Sequence, residues 1–254
     1  MDLGLSGLRA IVTGGSRGIG RTVAETLVAD GARVSICGRT QETLDDALGA
    51  LGDAAVGRTV DVSERDALAE WVRWSADEMG GLDVVVSNAS ALEPRTPGIE
   101  GWQKQFDTDI VSTVTLVDTA MPHLEASGAG SIVQVGTITA IEYHGFPGGG
   151  NSYGAMKAAL TNYMSQLAFE LAPTHIRANT VSPGPIYIEN GSWGWIENNM
   201  PDYFAENVAH QPQGRLGTPQ EVANVVAFLA SPAASWVTGE NVVVDGAFTR
   251  RHAF

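Results

Sequence analysis

The stretch Leu8-Arg-Ala-Ile-Val-Thr-Gly-Gly-Ser-Arg-Gly-Ile-Gly20 decides how the chain is read. A short apolar run (Leu8, Ala10, Ile11, Val12) ends in a glycine cluster. Beyond it, Ile19, Val23, Ala24 and Leu27 recur at helical spacing. Strand, glycine turn and helix is the arrangement that aims backbone N–H groups and a helix N-terminus at a phosphate. Glycine suits such a turn because a side chain would hold a pyrophosphate away and disfavour the φ values required. The spacing, Gly14-x-x-x-Gly18-x-Gly20, differs from Gly-x-Gly-x-x-Gly, and alone it reads equally well as a tight surface turn. The rest of the chain decides between the two.

Bulk properties narrow the field. The 254 residues, 44% apolar and 17% charged, suit one domain with a sizeable core. A net charge of −14 and a pI near 4.6 argue against nucleic acid or an anionic membrane as partner. The single cysteine, Cys37, excludes an intrachain disulfide; it ends an apolar run and reads as a buried structural thiol. The N-terminus lacks a basic region followed by a long apolar one, so no secretory leader is expected. No apolar run approaches the roughly 20 residues of a membrane span. A soluble cytoplasmic protein is the expectation.

Short apolar, β-branched runs at 9–13, 33–37, 55–60, 82–87, 131–135, 177–181 and 241–245 predict strands. Most are continuous rather than alternating, as in strands covered on both faces. Helical patterns separate them: 42–51 carries Leu44, Ala47, Leu48 and Leu51 on one face, and 63–79 opens with the capping-box-like Ser63-x-x-Asp66. Thr218-Pro-Gln-Glu221 combines an N-cap, proline at the first helical position and an early acidic residue. The alternation predicts a single α/β domain over 1–254, a doubly wound parallel sheet with right-handed crossovers. Two segments break the rhythm. Residues 143–151 hold Phe146-Pro-Gly-Gly-Gly, read as a flexible loop. Residues 187–213, with Tyr187, Trp193, Trp195, Tyr203 and Phe204, read as a long irregular lid or substrate loop.

The second strand ends in Cys37-Gly38-Arg39-Thr40. In a dinucleotide fold an acidic residue at this point bonds the ribose 2′-hydroxyl. Gly38 and Arg39 stand here instead, and a guanidinium pairs well with a 2′-phosphate. Arg17, inside the glycine turn, adds a second positive charge, so NADP(H) is expected in preference to NAD(H). Thr137 follows the fifth strand, at the carboxyl edge where open α/β sheets bind ligands. Tyr153 and Lys157, four apart, share one helical face. A phenol titrating near 10 is a poor base at neutral pH; an adjacent ammonium favours the phenolate and makes it usable in proton transfer. The five histidines show no ligand spacing, so no metal is expected, and His144 is read as a surface residue.

Together these residues resemble the short-chain dehydrogenase/reductase family along nearly the whole chain. The matching pieces are Thr13-Gly14-Gly-Ser16-Arg17-Gly18-Ile19-Gly20, Asp61-Val62, Ser87-Asn88-Ala89-Ser90, Tyr153-x-x-x-Lys157 and Pro183-Gly184-Pro-Ile186. The resemblance implies a seven-stranded Rossmann-type sheet flanked by helices, and hydride transfer between a nicotinamide and a carbonyl or alcohol. It implies Tyr153 as proton donor or acceptor, with Lys157 holding the nicotinamide ribose and lowering the tyrosine pKa. Asp61 and Val62 would contact adenine, Asn88, Ala89 and Ser90 would line the cleft, and Pro183, Gly184 and Ile186 would border the nicotinamide. The glycine turn with Ser16 and Ile19, and Gly38, Arg39 and Thr40, would complete the cofactor site.

The chain also departs from the family. Thr137 stands where serine is usual and lies further from Tyr153, matching extra residues at 147–150; Thr139 is the fallback. Asp109 replaces the helix asparagine and is included with Tyr153, Lys157 and Thr137 in the catalytic set, where it would disturb a proton relay or pair with Lys157. Ile188 replaces a threonine near the cofactor. Tyr187, Trp193 and Trp195, with Thr139, are the expected substrate contacts and point to a hydrophobic or acyl-type substrate. The expectation is an NADP(H)-dependent carbonyl reductase or alcohol dehydrogenase acting on a small molecule, assembled as a homotetramer or homodimer. The competing readings are a dinucleotide-binding regulatory protein with little turnover and a non-redox lyase on the same fold.

Overall fold

The computed structural model describes residues 2–91, 96, 98–142, 144 and 152–250. Seven parallel strands, β1 (Arg9–Thr13), β2 (Arg33–Gly38), β3 (Ala55–Thr59), β4 (Val84–Ser87), β5 (Ser131–Val135), β6 (Arg177–Pro183) and β7 (Asn241–Val244), form one sheet in the order β3-β2-β1-β4-β5-β6-β7. Each expected strand is present, with ends shifted by at most two residues. The run 143–151 falls almost wholly outside the described residues.

The continuous apolar runs are explained by two cores, one on each face. Val12, Val34, Ile36 and Val86 pack with Val23, Ala24 and Leu27 of α1 (Gly18–Ala29), Leu44 and Ala47 of α2 (Gln41–Leu51), and Val222 and Val226 of α9 (Pro219–Ala230). Ile11, Cys37, Val85 and Ile132 face the opposite side. They meet Leu68 and Trp71 of α3 (Arg65–Met79), Leu116 and Leu124 of α5 (Ser112–Ser127), and Met164 of α6 (Ser152–Leu171). Alternate side chains of one strand thus serve opposite layers, so apolar residues occupy both faces, with buried polar exceptions such as Ser35, which bonds Ser75.

Among the described helix starts, only α9 carries a full capping box, and α1, α2, α3, α7 (Ser192–Asn199) and α8 (Pro201–His210) begin without a side-chain cap. At α9 the Thr218 hydroxyl accepts from the Glu221 N–H, the Glu221 carboxylate accepts from the Thr218 N–H at 2.8 Å, and Pro219 follows the cap. Arg215, then the Thr218 N–H, hold the Glu221 carboxyl down to about 2. Ser63 does not cap α3. It bonds Asp61 through both its N–H and its hydroxyl, and Glu64 takes the cap position without a side-chain bond. The expected capping box is therefore replaced by a turn centred on Asp61. The segment 187–213 is also corrected: it contains two helices, α7 and α8, the second with proline in its first turn. Among the described residues no helix is long and apolar enough to cross a membrane.

The chain reverses its winding between β1 and β4, and a buried fork ties that junction at its amino end. Arg9 donates through Nε (2.7 Å) and Nη2 (2.8 Å) to the Asp83 carboxylate, which also accepts the Arg9 N–H (2.9 Å) and the Ser127 hydroxyl (2.7 Å). Burial raises the Asp83 carboxyl, but the bonds from Arg9 and Ser127 outweigh it and leave it below its ordinary value. A lowered native pKa contributes stability above the unfolded value near 3.9, lost as pH falls through the native one. Asp83→Asn is expected to destabilise the protein by about 1–3 kcal/mol at neutral pH in urea unfolding. The difference from wild type should shrink below about pH 4; a constant difference down to pH 2 would contradict this account.

Candidate active site

The sheet order places the carboxyl ends of β1, β2, β4, β5 and β6 around one open cleft of about 2290 Å³. That exceeds the roughly 300–1,000 Å³ of ordinary small-ligand pockets and has room for a dinucleotide and a second molecule. The glycine turn forms its floor. Gly14 and Gly18 have φ of +65° and +53°, in the left-handed region that glycine favours. Gly20 has a different reason: a Cβ there would lie 2.4 Å from both the Gly14 carbonyl oxygen and Asn88 Nδ2. At Gly38 a Cβ would meet Ser16 Oγ at 2.4 Å, so the end of β2 presses against the turn. The backbone is thus left bare where α1 begins, the condition for receiving a pyrophosphate.

Around this cradle the cleft wall includes Ser16, Ile19, Arg17, Arg39, Thr40, Asp61, Val62, Asn88, Ala89 and Ser90. Arg17 and Arg39 are exposed at its rim. Burial alone would raise the Asp61 carboxyl; the two Ser63 bonds, then the fields of Arg39 and Lys104, bring it below the usual range. Asn88 donates its side-chain amide to the Thr13 carbonyl at 2.9 Å, and the Thr13 hydroxyl accepts the Asn88 and Ala89 N–H groups at 3.0 and 3.1 Å. Cys37 is fully buried, and burial pushes its thiol up to about 12, as befits a structural residue.

Across the cleft, Tyr153 and Lys157 project from the first turns of α6. The Thr137 hydroxyl stands near the Tyr153 phenol in the same cleft and acts to favour its ionised form. Thr137 Oγ1 also accepts the Thr139 N–H (3.2 Å) and hydroxyl (3.1 Å), which leaves its own proton for the phenol or a substrate oxygen. The two side chains are thus brought into one cleft despite the longer sequence separation. Lys157 is buried and donates to the Val135 carbonyl at 2.9 Å. It also pairs with Asp109 Oδ1 at 3.0 Å. Asp109 lies in a π-helical turn, Phe106–Val111, between α4 (Gly98–Gln105) and α5.

One expectation is reversed here. Burial raises the Tyr153 pKa most; Lys157 lowers it, Asp109 raises it again, and the Thr137 hydroxyl lowers it, with a net value above the ordinary one. The nearby ammonium does not bring the phenol down, because burial outweighs it and the Asp109 carboxylate offsets part of its field.

Pro183, Gly184, Ile186 and Trp193 complete the wall with Thr139. Tyr187 and Trp195 do not line it. The Tyr187 hydroxyl donates to Glu197 at 2.6 Å and its ring packs edge-on to Phe204, while Trp195 is 45% exposed. His144 is not on the open surface as expected: it lines the cleft, its ring 4.9 Å from that of Phe248. The residues missed were Tyr203, Glu206, Asn207 and His210, spaced i, i+3, i+4 and i+7 along one cleft-facing stripe of α8. The spacing is present in the sequence, within the segment 187–213 that reads as irregular from its glycines, prolines and aromatics.

A glycine cradle at the switch point of a parallel sheet, facing a Tyr/Lys pair, defines a nicotinamide-dinucleotide oxidoreductase. Comparison with known proteins agrees. Residues 14–249 match the family model described as enoyl-(acyl carrier protein) reductase. Isoepoxydon dehydrogenase of Penicillium expansum is 37% identical over 97% of this chain and 96% of its own. Cis-4-hydroxycyclohexanecarboxylate dehydrogenase of Sinomonas cyclohexanicum is 38% identical over 94% and 96%, and 3-oxoacyl-[acyl-carrier-protein] reductase of Chlamydia pneumoniae 32% over 98% and 100%. The chain belongs to the short-chain dehydrogenase/reductase family. It is an NAD(P)-dependent oxidoreductase acting on alcohol and carbonyl groups.

The tightness of the cradle is measurable. Gly20→Ala forces a methyl against the Gly14 carbonyl, and overpacking of this kind costs about 1–3 kcal/mol. Denaturant unfolding should show that loss, and a dinucleotide titration followed by fluorescence should show weakened binding; unchanged values for both would refute the close approach.

Proposed function

We propose that the protein is an NADP(H)-dependent reductase of a hydrophobic carbonyl compound, running in reverse as a secondary-alcohol dehydrogenase. The observation that carries this reading is that one cleft is lined by Tyr153, Thr137 and Lys157 together with the glycine cradle. A substrate oxygen inserted there would accept from both hydroxyls. Tyr153 then supplies the proton to that oxygen, or removes it in the alcohol direction. Thr137 orients the oxygen, and Lys157, held at Val135, keeps an N–H for the cofactor ribose. When bound, the nicotinamide supplies or accepts the hydride. Gly14, Ser16, Gly18, Ile19 and Gly20 would hold the pyrophosphate, Asp61 and Val62 the adenine, and Asn88, Ala89, Ser90, Pro183, Gly184 and Ile186 the nicotinamide half. Arg39 and Arg17, exposed at the rim beside Gly38 and Thr40, would pair with the 2′-phosphate.

For the substrate, the wall of Trp193, Tyr203 and Phe248 favours an apolar body, and Asn207 and His210 add polar contacts at one side. The relative named for a hydroxycyclohexanecarboxylate supports a ring ketone or alcohol over a long acyl chain. The helices α7 and α8 form the lid over this end of the domain. Phe169 and Trp236, 85% and 98% exposed in one chain, support burial in a homotetramer or homodimer. The single buried cysteine suits a reducing compartment, the cytoplasm.

Tyr153→Phe should abolish turnover on a ketone panel, followed by loss of NADPH absorbance, while NADPH binding stays within a few-fold of wild type. Substantial residual activity would sink the assignment. Arg39→Ala should weaken NADPH about 10- to 100-fold, the equivalent of one charge-assisted hydrogen bond of about 1.5–3 kcal/mol, and leave NADH almost unaffected. A wild-type preference for NADH would refute the Arg39 argument.

A further inference from the structure

The Asp109–Lys157 pair is buried on both sides, with side chains 0% and 3% exposed. Asp109 Oδ2 accepts the Ala91 N–H at 3.2 Å and the Gln105 side-chain amide; Oδ1 is left to the ammonium. Lys157 donates one N–H to the Val135 carbonyl, and its contact with Asp109 is an ion pair whose Oδ1 accepts no hydrogen bond. A carboxylate at this depth is kept charged only by such a partner. Lys157 from its own helix and Asp109 from the π turn are the two charges that act on Tyr153, and Thr137 contributes a neutral hydroxyl. Glu142 and His144 line the same cleft on the loop after β5, 3.6 Å apart, and offset each other when the imidazole is protonated.

We propose that Asp109 is a positioning residue: it holds Lys157 in place and offsets the ammonium's field at Tyr153, so that the buried phenol stays protonated and the enzyme is biased toward carbonyl reduction. This rests on the reading of Tyr153 as the acid–base group. In the reductive direction the carbonyl π bond breaks and the carbon takes the hydride supplied by the reduced nicotinamide. The oxygen takes the phenol proton, leaving an alcohol, the oxidised nicotinamide and a phenolate that is reprotonated from water. Each of these requirements is met by a protonated Tyr153. The alcohol direction needs the phenolate, which Asp109 makes scarce near neutral pH. The raised Tyr153 pKa agrees with this arrangement.

The test is a tyrosinate absorbance titration of the protein without added cofactor, taking wild type minus Tyr153→Phe to isolate one phenol. The isolated phenol should ionise above the ordinary value near 10. In the Asp109→Asn background the midpoint should fall by about one pH unit or more, the effect of a nearby unit charge. The acid limb of alcohol oxidation should move down by the same amount, raising oxidation near neutral pH roughly tenfold per unit. A structural role alone would lower stability without moving either midpoint. A wild-type phenol ionising well below 10 overturns the proposal with no Asp109 variant needed, so misfolding of Asp109→Asn does not protect it. An unmoved midpoint in a folded Asp109→Asn protein that still reduces ketones overturns the proposal and leaves the reductase reading intact.

Discussion

Strands β1 and β4 lie side by side although the chain visits β2 and β3 between them, and this seam must hold for the cleft to exist. It is fastened at both ends by groups that have no substitute nearby. At the amino end Arg9 forks onto Asp83. At the carboxyl end the Thr13 hydroxyl receives two N–H groups from the start of the loop after β4, and Asn88 returns a bond to the Thr13 carbonyl. The second fastening also brings Asn88 Nδ2 within 2.4 Å of where a Cβ of Gly20 would stand. The fold's connectivity, the glycine at position 20 and the shape of the phosphate cradle are therefore one constraint expressed at three places. Parallel strands far apart in the chain gain nothing from local turns, so side chains of this kind fix their register.

The second organising feature is electrostatic. An acidic chain keeps the Lys157 ammonium in the interior by giving it a dedicated carboxylate, and the π-helical turn is what delivers that carboxylate. One extra residue in the turn Phe106–Val111 shifts the phase between α4 and α5, and it presents Asp109 inward at the level of α6. The same pairing that makes burial of Lys157 tolerable weakens its action on Tyr153. Solvation and proton chemistry are thus coupled through a single contact.

Much of this was legible in the chain. Continuous β-branched runs separated by amphipathic helices specified the parallel sheet, because strands covered on both faces leave no polar alternation. The glycine turn, Arg39, Thr137 and the Tyr153/Lys157 pair could be placed on the cleft, since strand ends of such sheets converge. What escaped was of two kinds. Helix α8 has no buried residue, so its short apolar set, Phe204 and Val208, marks no core-facing stripe; the stripe from Tyr203 to His210 faces the cleft instead. Tyr187 and Trp195 have the chemistry of substrate contacts, yet the Tyr187 hydroxyl is drawn to Glu197 and Trp195 is 45% exposed outside the cleft wall. The sign of the Tyr153 shift also escaped, because it depends on Asp109 reaching across from another element, a distance no local pattern encodes.

Helix α8 has a consequence for how such a protein changes over time. Most helices here are bound to the sheet by the residues that give them stability, so altering them endangers the fold. The inward stripe of α8, Tyr203, Glu206, Asn207 and His210, borders the cleft without belonging to either core. Substitutions there fall among the near-neutral surface class for folding while acting directly on whatever occupies the site. The lining of the cleft and the packing of the cores are thus carried by separate residues at this helix, so its cleft face can change by single steps through folded intermediates.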